Sequence, residues 1–149
     1  MANQWKSITD PCPHRGPAVY KVRLVDNDGK KQTPRTICRF LVQDKEGIMF
    51  IGRTGDMEIR RQQMLLAIGN RHRHSEMNHV YYINLYSTIN FNAKQFQYCY
   101  SQCLSVDESK EKKEKLIKSY FKKFGEVPPL NSAIPHPHQD WEFKTPNVC

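Results

Sequence analysis

The sequence has no apolar run near the roughly 20 residues that a membrane-spanning helix needs, so no membrane association is expected. No secretory signal is visible at its N-terminus, and a cytoplasmic or nucleoid-associated location is expected. Acids are scarce: 15 Asp and Glu stand against 23 Lys and Arg, a formal net charge of +8. An excess of that size suits a nucleic-acid or acidic-surface partner without requiring one. Cysteine builds no framework. Cys12, Cys38, Cys99, Cys103 and Cys149 are odd in number and irregularly spaced. Only Cys99 and Cys103 are close, and no second pair completes a zinc site, so reduced thiols are expected. His136 and His138, in a proline-rich tail, add no metal spacing to them. There is no internal repeat, and the only low-complexity run is Lys110–Lys115. The 149 residues suffice for one domain with a real core.

What is present reads as a mixed chain of short strands and helices. Residues 1–17 are polar and hold Pro11, Pro13 and Pro17, an irregular arm. Ala18–Val25 is rich in β-formers and is predicted as a strand. Asp26–Lys31 carries an Asp-Gly turn signal. Thr36–Gln43 is predicted as a second strand, Asp44–Gly47 as a tight turn, and Ile48–Gly52 as a third strand, the three forming an antiparallel meander. Thr54-Gly55-Asp56 opens a helix with Thr54 or Asp56 as cap and Gly69 at its end. Its apolar side is Met57, Met64, Leu65 and Ile68. Arg60 lies on the flank of that stripe and Arg61 near its middle, where a charge needs a buried stem and an escaping head. Arg71-His72-Arg73-His74 is a basic loop. Val80–Tyr86 is strand-like, and Phe96–Tyr100 alternates as a strand does.

The chain is organised around the helix that follows. Ser105 with Glu108 makes a capping-box pattern at its start. Leu116, Ile117, Tyr120, Phe121 and Phe124 fall within about 140° of arc. Gly125 suits a left-handed cap, and Pro128 and Pro129 forbid continuation. Among its acids Glu114 lies nearest the stripe, beside Phe121, while Glu108 and Glu111 point well away. A carboxylate at a core edge can be held rigidly and still meet solvent, as a metal ligand or acid–base group must. Residues 132–149 read as an extended tail with one anchor, Trp141.

The order of these pieces resembles the GIY-YIG nuclease superfamily. Ala18-Val19-Tyr20 matches the first motif and Phe50-Ile51-Gly52 the second, with phenylalanine where the family has its second tyrosine. Arg60 follows Gly52 at the arginine's place, Glu114 matches the glutamate and Asn131 the asparagine. The resemblance covers residues 16–134, leaving an arm at 1–15 and a tail at 135–149. It implies an α/β (α+β) fold, a small central antiparallel sheet flanked by helices. It also implies a divalent-metal-dependent endonuclease of restriction, mobile-element or defence type, acting on DNA, double- or single-stranded. Glu114 would hold Mg²⁺ or Mn²⁺, Arg60 would present its fork to the scissile phosphate, and Tyr20 would be base or water positioner. Asn131 would orient a neighbour or the phosphate. Arg53, Arg61, Arg71, His72, Arg73 and His74 are the candidate nucleic-acid contacts. Met64 stands where many relatives carry a histidine.

Taken singly, each residue has a plainer reading: Tyr20 a strand aromatic, Arg60 a solvated charge, Asn131 a turn residue. Phe50 keeps the ring and loses a hydroxyl. A nucleic-acid-binding module that kept the fold and lost the chemistry is therefore the competing expectation, and a small interaction protein charged for solubility is a third. The chain has little room for a separate recognition domain. Sequence specificity would come from residues 26–47, from the basic loop, or from a homodimer or other partner.

Overall fold

Eleven residues from Ala18 to Asp28 form the longest strand and the axis of the sheet. The structure, a computed structural model, describes residues 4–70 and 75–132. In chain order the elements are β1 (Lys6–Ser7), β2 (Ala18–Asp28), β3 (Lys31–Pro34), β4 (Ile48–Thr54), α1 (Met57–Gly69), α2 (Ser75–Tyr86), a 3₁₀ turn at Ala93–Gln95, β5 (Phe96–Gln102) and α3 (Val106–Phe124). β2 pairs antiparallel with β4 and with β5 along its first half, and with β3 beyond Leu24. β1 adds to the edge of β5. This is the mixed α+β architecture with a central antiparallel sheet that the sequence predicts.

The sheet separates two apolar cores. Tyr20, Val22, Leu24, Phe50, Phe96 and Tyr98 pack with Met57, Met64, Ala67 and Ile68 of α1 and with Met77 and Val80 of α2. Ile48 and Ile51 pack with Ile117, Tyr120 and Phe124 of α3. Strand alternation would put Ile48 and Phe50 on one face. They face opposite cores because the register shifts between Val22↔Phe50 and Arg23↔Ile48, a bulge that leaves Met49 without a partner. Phe50, opposite Val22, shares the face that carries Tyr20, and the shift turns Ile48 to the other.

The turns follow local chemistry. Gly29 and Gly47 adopt positive φ, of 65° and 69°. The buried carboxylate of Asp44 accepts from the N–H groups of Glu46 and Ile48 and from the Tyr120 hydroxyl at 2.8 Å, which ties α3 to the turn before β4. Asp56 caps α1 and Ser105 caps α3, and Gly125 ends α3 in the left-handed conformation.

Two predicted strands are corrected. Residues 36–43 form no strand: after β3 ends at Pro34 the segment makes a single bridge, Ile37↔Asp44. Its backbone turns to the end of α3 instead, with Leu41 N–H donating to Phe124 and Phe40 N–H to Glu126. The predicted meander therefore lacks its middle member, and β2 and β4 pair directly. Val80–Tyr86 belongs to α2. Met77 and Val80, three apart, are buried against the first core, and the Asn78 amide donates to the carbonyls of Ala67 and Asn70 at 3.0 Å. Packing against α1 overrides the β preference of Val80, Tyr81, Tyr82 and Ile83. Among the described residues no helix is long and apolar enough to cross a membrane.

Candidate functional site

A cleft of about 260 Å³ opens where the end of β4 meets all three helices. Its floor is Tyr20, Phe50 and Gly52. Arg53, Thr54 and Gly55 form one wall, and Arg60 of α1, Glu76 of α2 and Lys113 of α3 project into it. The strand-to-helix turn beside it is fixed by its own hydrogen bonds. The Thr54 hydroxyl donates to the Asp56 carbonyl at 3.0 Å and accepts from the Asp56 N–H at 3.1 Å, while Asp56 accepts from Ile59 N–H. Arg60 lies four residues after the Asp56 cap and its N–H donates to the Asp56 carbonyl at 3.1 Å, so its backbone is fixed to this turn. Its Nε is buried without a hydrogen-bond partner.

Tyr20 is 1% exposed. Burial pushes its phenol well above the ordinary value, Arg60 pulls it partly back, and Glu76 pushes it up again. The phenol thus stays protonated at neutral pH, which suits a hydrogen-bond donor or water positioner and not the base that the sequence left open. The Tyr20 and Phe50 rings lie 6.0 Å apart between centroids. Lys113 has its pKa lowered, first by burial and then by Arg53 and Arg60, with Glu76 and Glu114 opposing.

The expected site residues divide. Tyr20, Phe50, Arg53 and Arg60 come together in the cleft. Glu114 is half-buried on α3 and does not line it; its neighbour Lys113 does. Asn131 spends its amide on β4, accepting from Ile51 N–H and donating to Ile51 O, both at 2.9 Å. With Leu130 N–H donating to Met49 O, it fixes the loop after α3 to the strand that bears Phe50 and Gly52. Its role is to position that strand, and it makes no part of the cleft wall.

Arg61 is corrected as a nucleic-acid contact. Its head does not escape. The side chain is buried and holds Glu58 through Nε at 2.7 Å and Nη2 at 2.6 Å, with Nη1 on the Ile8 carbonyl at 2.9 Å. Glu58, three residues earlier on α1, makes that position tolerable by pairing the charge. Arg71, His72, Arg73, His74, His136, His138 and Trp141 lie outside the described residues.

Sequence reasoning missed Glu76 and Lys113. The charged lining they complete is three cations, Arg53, Arg60 and Lys113, and one carboxylate, Glu76. A net excess of two positive charges in the lining suits a phosphate group. The oxygen donors in the lining do not make a metal cage, and no group of three His, Cys, Asp or Glu gathers among the described residues. A Mg²⁺ ion that keeps most of its waters needs one or two carboxylates and takes substrate phosphate for the rest; in this lining the one carboxylate, Glu76, stands among three cations.

Compared with known protein families, curated proteins and solved structures, the chain gives no match.

Proposed function

We propose that this protein is a divalent-metal-dependent endonuclease of GIY-YIG type that hydrolyses phosphodiester bonds in DNA. The observation that carries the reading is the meeting of Tyr20 and Arg60 in one cleft with Arg53 and Lys113. These come from four separate elements, and their charge and hydrogen-bonding capacity match a phosphodiester.

Hydrolysis adds a water oxygen to phosphorus, breaks one P–O ester bond and leaves a proton on the departing alkoxide. Arg60 offers two parallel N–H donors to the scissile phosphate and neutralises charge that develops on its oxygens. Arg53 and Lys113 hold the backbone on either side. The protonated Tyr20 donates a hydrogen bond to the attacking water or to a phosphate oxygen. Mg²⁺ or Mn²⁺, when bound, supplies further charge neutralisation and a more acidic water. Asn131 keeps β4, and with it Phe50 and Gly52, at a fixed distance from α3.

A second reading is favoured by Phe50. The floor lacks the hydroxyl that a second tyrosine would add, so the cleft would serve as a phosphate-binding module with little or no turnover. Incubating the purified protein with supercoiled, linear duplex and single-stranded DNA, in Mg²⁺, Mn²⁺ or chelator, tests the choice. Metal-dependent cleavage supports the nuclease. Salt-sensitive binding without cleavage in any metal supports the module.

A further inference from the structure

A second cavity, of about 310 Å³, is lined by Val19 of β2, Ser101 of β5, and Lys112, Lys115 and Leu116 of α3. None of these residues lines the cleft at the end of β4, yet the sheet register joins the two spaces. Val19 is the cross-strand partner of Arg53 on one side and of Ser101 on the other. Cross-strand partners share a face, so Arg53, Val19 and Ser101 form one row that leads from the cleft to the second cavity. Neighbouring strands lie about 4.8 Å apart, which puts the ends of the row about 10 Å apart. α3 repeats the arrangement: Lys113 enters the cleft, and Lys112 before it lines the second cavity. The cavity stays open because Ile117, Tyr120 and Phe124 of α3 pack on Ile48 and Ile51 of β4, and Ser101 on β5 is left half-buried. Its chemistry is mixed. Val19 and Leu116 give an apolar base, Ser101 a hydroxyl, and the two lysines a cationic rim. Lys112 is held by Glu108 at 3.1 Å, one turn earlier, while Lys115 is exposed. Such a lining fits an anion that carries an apolar body better than a bare phosphate. A duplex turns its phosphates and sugars outward and keeps the flat faces of its bases stacked inside, so it has nothing to lay on Val19 and Leu116. A nucleotide unpaired from its complement offers both parts.

Building on the nuclease reading, in which Arg53 and Arg60 hold a phosphate in the cleft, we propose that the cavity between β5 and α3 takes the adjoining nucleotide of the same strand, unpaired. Its base lies over Val19 and Leu116, Ser101 offers a hydrogen bond to the base edge, and Lys115, with Lys112, meets the next phosphate. The substrate class is thus DNA that is single-stranded beside the scissile bond. A negatively supercoiled duplex, which opens locally, supplies it as well.

The test is fluorescence anisotropy of the full chain in chelator, with a labelled oligothymidylate, a duplex of the same length and an abasic strand of the same length. Wild type is expected to bind the oligothymidylate about fivefold or more tightly than either of the others. Leu116→Asn should bring the oligothymidylate down towards the abasic strand and leave the salt dependence as it was. Lys115→Gln should weaken both single strands and reduce the slope of log affinity on log salt by about 0.7, the share of one phosphate contact on a single strand. Lys110→Gln, the same charge change at an exposed position of α3 outside the cavity, should bind as wild type does. A thermal melt of each variant checks folding, and the abasic comparison needs no variant at all. Duplex or abasic strand bound by wild type as tightly as oligothymidylate, a folded Leu116→Asn that keeps the full preference, or a Lys115→Gln no different from Lys110→Gln would each overturn the proposal. So would displacement of the labelled strand by polyglutamate as readily as by unlabelled oligothymidylate, the mark of a site for acidic peptides. DNA cleavage in Mg²⁺, measured in parallel, separates the two readings. A base-dependent preference that Leu116→Asn removes, with no cleavage of any DNA, refutes the nuclease and upholds the cavity. Cleavage with no preference for unpaired strands refutes the cavity and upholds the nuclease.

Discussion

Tyr20 and Gly52 are cross-strand partners on β2 and β4, and the tyrosine ring fills the space that a side chain at position 52 would need. A Cβ placed on Gly52 would lie 2.5 Å from the Tyr20 hydroxyl oxygen and 2.7 Å from Cε1 of Phe50. The glycine is therefore what allows a buried phenol to reach the cleft. Gly52→Ala should cost about 1–3 kcal/mol by forcing the ring or the strand aside. It should also lower cleavage by more than the loss of folded protein explains. Urea unfolding and a turnover assay on the same preparation check both. A variant as stable and as active as wild type would show that the Tyr20 ring is free to move.

Glu58 and Arg61 should behave as a structural pair. Arg61→Ala leaves Glu58 buried without its partner and should cost about 3–5 kcal/mol. The pair also sets an acid limit on stability. Hydrogen bonding to Arg61, with burial opposing it and the Cys12 N–H assisting, holds the Glu58 carboxyl down from its ordinary 4.5 to about 2. A group depressed on folding stabilises above its unfolded value and loses that contribution as the pH falls through the folded one. The Glu58 contribution is thus full above pH 4.5 and fades towards pH 2. Unfolding free energy measured across this window should fall in wild type, and the fall should be smaller in Glu58→Gln.

Much of this fold was legible because local signals agreed with tertiary packing. The caps at Asp56, Ser105 and Gly125 and the turns at Gly29 and Gly47 each depend on one or two residues whose chemistry allows little else. The strands around Tyr20 and Gly52 followed from two β-rich motifs, but the register that pairs these two residues did not, since a third strand was expected at 36–43 between them. Segment 80–86 was illegible because its side chains favour strands and only burial against α1 makes them helical. On α3 the apolar stripe draws attention to the acid at its edge, Glu114, whereas Lys113 falls within about 10° of the stripe's centre. The buried residues Ser109, Ile117, Tyr120 and Phe124 continue that line. A lysine at the stripe's end reaches the end of the sheet, where the cleft lies. Glu76 could not be placed while its helix was unrecognised. Arg61 was misjudged because its partner, Glu58, lies on the same turn and was not paired with it.

Phe50 provides a test of the chemistry. It is buried in the floor beside Tyr20, and its ring contacts are already made. Phe50→Tyr should keep the packing and add a hydroxyl towards the cleft. The expected result is faster cleavage with a thermal midpoint close to wild type. An unchanged or slower rate would mean that the water is held by another group.

If the cleft at the end of β4 cleaves phosphodiesters, Arg60 is its most direct probe. Arg60 lines the cleft, whereas its neighbour Arg61 is committed to Glu58. The decisive measurement is nicking of supercoiled plasmid in Mg²⁺ by wild type and by Arg60→Ala, with the thermal midpoint of both recorded. Wild type is expected to nick in a way that chelator abolishes, and Arg60→Ala to lose about two orders of magnitude or more at nearly unchanged stability. Nicking by Arg60→Ala at the wild-type rate, or no nicking by wild-type protein in Mg²⁺ or Mn²⁺, would contradict it.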